Sequence, residues 1–490
     1  MKKSPHALII GGGLAGLAAG CYLRASGYET TIVEHGLALG GVCTAWPRGE
    51  YTIDGCIHWL TGGAFNSLYD ELGISARVPF RPLREFVTYR DERAGTQLVI
   101  TADLDATARA LIEISPADRA EILRVVEAAR QLVQLRPPID PPLELSGFRI
   151  QFERLWELRH GLQHLLHFRK PLSVWSHERL ESARLRQVFS RILPAETPAL
   201  FLLMILGYLE QGYLSRPEGG TAKFRDALID TYQGRGGKAL LHSTVDEILV
   251  DQDRAFGVRL ANGELLHGDL VISTSSMPET VLRLLAGRYG AAEVRARLDR
   301  WKLFDPVVLL SYGVALPFPG VPPSLIVDGI EPFECGGHRN DHLMIRTYND
   351  DTTLAPPGHT VVQALLGTDY AWWATRGAGY NAAKDSLAGR VLERLDAYLP
   401  GVRENRQVTD VVTPLTFWNM ARSWRGAYEG WIPTPDAFFS HMQKTLHGLA
   451  GFYMAGQWVE PGGGIPAALM SGRQVAQLAC ASDQRIFRTS

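Results

Sequence analysis

The sequence predicts an α/β fold with α+β insertions: a parallel sheet assembled from separated parts of the chain, and a second lobe inserted between them. Three observations predict it. The stretch "ALIIGGGLAGLAAG", Ala7 to Gly20, runs from an apolar strand through a glycine turn into a helix of small residues. The stretch "GFYMAGQWVEPGGGIPAALMSGRQVAQLA", Gly451 to Ala479, repeats that order near the other end. Residues about 100–210 and 290–440 lack this glycine punctuation. At 490 residues the chain exceeds one ordinary domain, so two lobes are expected.

The first element is a buried parallel strand over His6–Ile10. Gly11, Gly13 and Gly16 then fit G-x-G-x-x-G. Gly11 permits the tight turn, Gly13 lets the backbone approach a pyrophosphate, and Gly16 lets the helix pack closely on the strand. Leu14 and Ala15 open the helix, where free N–H groups and the positive dipole end favour phosphate. The helix closes at Gly27, a suitable C′ residue. A second strand, Thr30–Val33, ends on Glu34, 18 residues after Gly16. A carboxylate there accepts hydrogen bonds from a ribose hydroxyl and repels a 2′-phosphate, which disfavours NADP. NAD and FAD stay open at this point.

Further segments select FAD. In "LALGGVCTAW", Gly40 and Gly41 follow Glu34 closely. This resembles the double-glycine element of the glutathione-reductase-like flavoproteins, where backbone must approach a diphosphate with no Cβ in the way. Val42 stands where that element usually has arginine, a departure from the amine-oxidase branch. The C-terminal stretch reads as a strand over Phe452–Ala455, a glycine-rich turn and a helix from about Ile465. In that superfamily this unit lies along the flavin, which implies contacts at Gly456, Gln457, Gly463, Gly464 and Ile465. Between them, Lys238–Ser275 reads as strands joined by turns, with Asn262-Gly263 a hairpin turn and Leu270–Ser273 a buried strand. By the same resemblance the backbone of Val245 meets the adenine.

No second G-x-G-x-x-G follows Gly16. "GRGGKALL", Gly234 to Leu241, is a helix end entering a strand, the reverse order. The electron partner stays open among oxygen, a quinone, the substrate itself and an NAD(P)H bound without this motif.

The chain resembles the phytoene desaturase, carotenoid isomerase and retinol saturase family of FAD enzymes nearly end to end. The resemblance is carried by "YTIDGCIHWLTGG" (Tyr51 to Gly63), "SRPEGGTAKFRDAL" (Ser215 to Leu228), "TPLTFWNMARSWRGAYEGW" (Thr413 to Trp431) and "PGGGIPAALMSG". The last fits a Pro-Gly-x-Gly-x-Pro signature at Pro461, Gly462, Gly464 and Pro466. It implies a Rossmann-like FAD-binding domain with an inserted substrate domain. It also implies desaturation, saturation or isomerisation of a long apolar polyene or isoprenoid lipid. The expected division assigns 1–100, 211–290 and 441–490 to FAD, and 101–210 and 291–440 to substrate.

Composition narrows the partners. The formal charge is −2, so no nucleic acid is expected. Cys21, Cys43, Cys56, Cys335 and Cys480 include no C-x-x-C, which argues against zinc, a disulfide framework and dithiol chemistry; no metal site is expected. No targeting segment is read, and "ALFLLMILGYL", Ala199 to Leu209, is too short to span a bilayer. A cytoplasmic protein is expected. The segment 146–171 places Phe148, Phe152, Leu155, Leu162, Leu165 and Leu166 on one helical face. Arg149, Arg154, Arg159, His160 and His164 lie largely elsewhere, and Arg169-Lys170 close the segment. Such a face suits either a domain core or the inner membrane surface, from which a lipid substrate would be taken.

Catalytic candidates follow from the chemistry. Hydride loss from an allylic carbon leaves developing positive charge, which a carboxylate or aromatic face stabilises. Glu460 and Trp458 lie in the turn before the C-terminal helix, and His58 lies in the Asp54-Gly55 element. A structural, hydrogen-bonded histidine is the alternative for His58. Tyr370, Trp372, Trp373, Trp418, Trp424, Tyr428 and Trp431 suit an apolar tunnel or any core. A flavin amine oxidase and a non-catalytic prenyl-lipid escort protein are the rival readings; the intact glycine turn and Glu34 argue against the escort.

Overall fold

The computed structural model describes residues 4–134, 137, 139–158 and 161–490, with the backbone alone at 154, 155, 157 and 158. Among the described residues, five strands form a parallel sheet: β1 (His6–Ile10), β2 (Glu29–Val33), β3 (Lys238–Leu240), β4 (Leu270–Ser273) and β5 (Phe452–Met454), in the order β3-β2-β1-β4-β5. Both chain ends therefore contribute to one sheet. β1, at the centre, reads as a continuous apolar run because both faces of the sheet are covered, one by helices and the other chiefly by an antiparallel meander.

Three helices bear on the cleft described below: α1 (Leu14–Ala25), α2 (Gly220–Gly234) and α3 (Gly464–Ser482). α3 packs along α1, and its Gly472 carries no Cβ where one would sit 2.6 Å from the Ala15 carbonyl oxygen. α1 ends as its glycine predicts: Gly27 takes φ +86°, and the Tyr28 N–H donates to the Leu23 carbonyl. On the other side of the sheet, Val245–Asp251, Arg254–Leu260 and Leu265–His267 form an antiparallel meander. Its Asn262-Gly263 turn has Gly263 at φ +88° and the Asn262 side chain accepting from the Glu264 N–H.

A seven-stranded mixed sheet forms the second lobe, ordered 406–412, 307–314, 360–367, 338–347, 324–335, 85–91, 96–101. The expected break at residue 100 runs through it. Strands Glu85–Asp91 and Thr96–Thr101 join this sheet because Glu85–Asp91 pairs in parallel with Ser324–Cys335. Such a contact spans over two hundred residues and has no local sequence signature.

Helices between 104 and 210 pack on these two strands around a single apolar core. Ala199–Glu210 is buried, as its uniform apolarity predicts, and crosses Arg119–Leu132 closely at Gly207. The described part of the amphipathic segment contains the helices Phe148–Leu158 and Leu162–Phe168, the second starting after Gly161. Its apolar face stays outside the core: Phe148 is 86% exposed, Phe152 54%, Trp156 57%, Leu162 52% and Leu166 59%. Leu165 and the buried His164 turn inward. The expected positions of the Arg154 and Leu155 side chains, and of Arg159 and His160, lie outside the described residues. No described helix is long and apolar enough to cross a membrane.

Candidate active site

The β1–α1 turn is built by close approach. Gly11 takes φ +98°, and a Cβ on it would sit 2.6 Å from Thr274 Oγ1. That hydroxyl donates to the Ile10 and Gly11 carbonyls, which clamps the turn to the end of β4. A Cβ on Gly16 would meet the Gly11 carbonyl oxygen at 2.1 Å, whereas one on Gly13 would meet only the Gly41 Cα, at 4.0 Å. Gly16 is thus a packing glycine, and Gly13 leaves open space beside it.

Glu34 closes the base of the turn. Its carboxylate accepts from the Gly12 N–H at 2.6 Å through one oxygen and from the Gly36 N–H at 2.6 Å through the other. Each oxygen keeps lone-pair capacity toward the cleft. The double glycine runs alongside: the Gly40 N–H donates to the Gly12 carbonyl, and Gly41 takes φ +60° with its would-be Cβ 3.1 Å from the Gly13 Cα.

One cavity joins these parts. Its lining includes Gly11, Gly13, Leu14, Ala15, Glu34, Gly40, Gly41, Val245, Gly456, Gln457, Trp458, Gly464 and Ile465, and its open space, mouth included, is about 1630 Å³. Val42 also lines it, presenting an apolar side chain where arginine was the expected pattern. Gly16 lies behind the turn. Gly463 lies beside the lining, at φ +57°, where a Cβ would sit 2.6 Å from the Glu429 carbonyl oxygen. The wall includes a polar group, Ser243, Thr244, Glu279 and Arg283 beside Val245, and an apolar group, Val307, Leu309, Leu365 and Phe417. The N-termini of α1 and α3 both open onto this space, and helix N-termini carry unpaired N–H groups.

The segments quoted as Tyr51–Gly63 and Ser215–Leu228 meet at Asp54. Its carboxylate accepts from the Thr221 N–H at 2.7 Å and the Thr221 hydroxyl at 2.6 Å. This joint orients Cys56 and His58 into the cavity wall. The His58 ring has no hydrogen-bond partner among the described residues; its carbonyl accepts from Arg346 at 2.9 Å and Arg216 at 3.4 Å. Burial, with Arg346 and Arg216 nearby, holds the imidazole well below its ordinary value, so it is neutral.

Trp458 lines the cavity, 3% exposed and packed edge-on against Trp431 at 5.3 Å. Glu460 does not line it. Its carboxylate lies 2.8 Å from the buried Lys444 ammonium, an ion pair that turns it away from the cleft. Beside Glu34 and Glu279, a third acid lines the cavity, Glu429, within the segment "GAYEGW". Of the late aromatic cluster Tyr428 lines this cavity, while Trp373 and Trp431 are buried core. The only advance signal for Glu429 is an acid set between an aromatic residue and Gly-Trp.

Residues 14–480 match the family described as flavin containing amine oxidoreductase. The chain belongs to this family. It is an FAD-dependent oxidoreductase. Among curated relatives, the neurosporene-forming phytoene desaturase of Cereibacter sphaeroides is 26% identical over 508 aligned positions, covering 98% of this chain and 95% of the relative. The lycopene-forming phytoene desaturase of Pseudescherichia vulneris is 25% identical, covering 98% and 99%. An oxidoreductase from Methanosarcina mazei shares the fold with a TM-score of 0.66 at 18% identity, covering 96% of this chain and 100% of that one. The Val42 departure thus sits inside a family that still embraces the chain.

The cavity of this family member fits FAD on its own geometry. The flank of Gly13 is open where a diphosphate needs backbone contact, two helix N-termini face one space, and Glu34 offers acceptors to a ribose.

Proposed function

We propose that this oxidoreductase acts on a long apolar polyene or isoprenoid lipid, with FAD extended through the cavity described above. The carrying observation is one continuous cleft that runs from the glycine turn and Glu34 to a wall of Val307, Leu309, Leu365 and Phe417. In this reading Gly11, Gly13, Leu14 and Ala15 hold the diphosphate with Gly40 and Gly41, Glu34 takes the ribose, and Val245 meets the adenine. Gly456, Gln457, Gly464 and Ile465, with Gly463 behind them, border the ring. FAD supplies a two-electron acceptor for hydride. The chain supplies orientation and a dry wall: apolar side chains exclude water, and the face of Trp458 stabilises positive charge on a neighbouring carbon. The carotenoid desaturases among the relatives support the substrate class.

The seven-stranded sheet and the helices of 104–210 form the lobe that admits substrate. The exposed side chains of Phe148, Phe152, Trp156, Leu162 and Leu166 form the face on which the protein rests at the inner membrane surface. Phe148, Phe152 and Trp156 stack in sequence, with centroids 6.5 and 6.3 Å apart.

The test is extraction of FAD-loaded protein with organic solvent, mass identification of bound lipid, and anaerobic reduction of the flavin by that polyene in detergent. A bound polyene that bleaches the flavin supports the reading. Protein that carries no isoprenoid and is reduced only by small amines overturns it.

A further inference from the structure

Glu429 sits on a rigid segment. The Tyr428 carbonyl accepts from Gln457 Nε2 at 2.8 Å, the Gly430 carbonyl from the Phe304 N–H at 2.9 Å, and the Trp431 carbonyl from the Gly462 N–H at 3.1 Å. The segment is thus tied to the turn that opens α3. Its backbone oxygen lies against Gly463, so the side chain emerges beside the start of that helix. Glu429 lines the cavity, and its carboxyl has no hydrogen bond or ion pair among the described residues.

The groups around it supply no counter-charge. Tyr428 is its neighbour, and Asp305 and Cys56 act on the same phenol. Cys43 and Cys56 flank the same hairpin; hydrogen bonding with Cys43 and burial push the Cys56 thiol well up, so it stays neutral. Burial pushes the Tyr428 phenol well up too. The neutral His58 lines the same cavity. The cations of the lining are engaged elsewhere: Arg283 pairs with Glu279 at 2.6 Å and Asp246 at 3.1 Å, and Arg422 stacks over Trp418. Burial alone raises the Glu429 carboxyl to about 7. A carboxyl enclosed without a partner is costly to the fold, and its position suits a group that exchanges a proton near neutrality.

We propose that Glu429 is the acid–base residue of this site, taking up the proton that the polyene loses as it is oxidised. The inference rests on the polyene reading above. Two adjacent carbons each lose a hydrogen. One C–H bond breaks with its electron pair, which leaves as hydride to FAD, the oxidant. The other breaks heterolytically: its proton joins the Glu429 carboxylate, and its electron pair becomes the new carbon–carbon π bond. The substrate is oxidised by two electrons, FAD is reduced by two, and the protonated carboxyl later yields its proton to water.

The experiment compares wild-type, Glu429→Gln and Glu429→Asp proteins, each loaded with FAD. Their flavin spectra are titrated without substrate, and single-turnover reduction by the extracted polyene is followed across pH. Expected are a spectral titration near neutrality that Glu429→Gln abolishes and a rate loss of about a hundredfold or more in that variant. Glu429→Asp restores part of both. A Glu429→Gln protein that keeps the wild-type titration, or the wild-type rate and pH profile, overturns the inference. If no polyene reduces even the wild type, the substrate reading fails, and the spectral titration alone decides whether Glu429 is the proton-carrying group of the cavity.

Discussion

Glu460 and Lys444 form an ion pair of 2.8 Å in which the lysine side chain is 2% exposed. Glu144 lies 3.9 Å from the same ammonium and accepts from the Lys444 N–H. Removing one partner of such a pair strands the other charge. Lys444→Met is expected to cost about 3 kcal/mol, the low end for a buried pair because Glu460 is 24% exposed. Glu460→Gln keeps a polar partner and is expected to cost about 1 kcal/mol. Chemical denaturation measures both. Single-turnover flavin reduction in Glu460→Gln is expected to match the wild type, because the carboxylate faces Lys444 and not the cavity.

Gly13 and Gly16 separate two duties of one motif. Gly16→Ala drives a methyl to 2.1 Å from a carbonyl oxygen, so α1 must move off β1. A loss of about 1–3 kcal/mol is expected in the FAD-free protein. Gly13→Ala meets nothing closer than 4.0 Å, so the FAD-free protein is expected within about 1 kcal/mol of wild type. Its methyl instead occupies the flank left for the diphosphate, and FAD binding is expected to weaken about tenfold or more, or about 1.4 kcal/mol. Melting of the FAD-free proteins and flavin titration together distinguish the two.

The exposed aromatic run gives a third expectation. Phe148 and Phe152 lie outside every core cluster, so Phe148→Asp and Phe152→Asp are expected to leave the melting temperature unchanged. Burying such a ring in a lipid interface contributes roughly 1.5–3 kcal/mol, so each change is expected to weaken vesicle binding roughly tenfold. Cosedimentation with anionic vesicles reads this directly. Equal binding by wild type and both variants removes the proposed membrane face.

What the sequence could reveal depended on how locally each feature is determined. β1, α1, β2 and Glu34 form a contiguous unit whose glycines are needed by geometry within about 25 residues. α3 was legible because its turn is also local. By contrast, strands 85–101 enter the second sheet through a parallel pairing with Ser324–Cys335, which no local pattern announces. Glu460 and Glu429 illustrate the same limit at the site. Both are single acids near a tryptophan and a glycine. Lys444 decides that one turns away, and the hydrogen bonds from Gln457, Phe304 and Gly462 decide that the other's segment is held beside α3.

His58 and Glu429 impose opposite pH dependences on the FAD-free protein. The folded His58 imidazole is held well below 6.5 by burial and by Arg346 and Arg216, so below about pH 6.5 the unfolded chain binds the proton that the folded chain refuses. Stability therefore falls as pH falls through that window, and His58→Gln is expected to flatten the fall. The folded Glu429 carboxyl titrates at about 7 against 4.5 for the unfolded one, owing to burial. Between those values the folded chain binds more protons, so stability declines as pH rises from 4.5 toward 7. Glu429→Gln is expected to abolish that decline and to gain stability over wild type at about pH 8. Urea denaturation midpoints of the three FAD-free proteins, taken from about pH 5 to 8, read both slopes. A Glu429→Gln curve parallel to wild type across the whole range would mean that the carboxyl ionises normally, in contact with water inside the cavity.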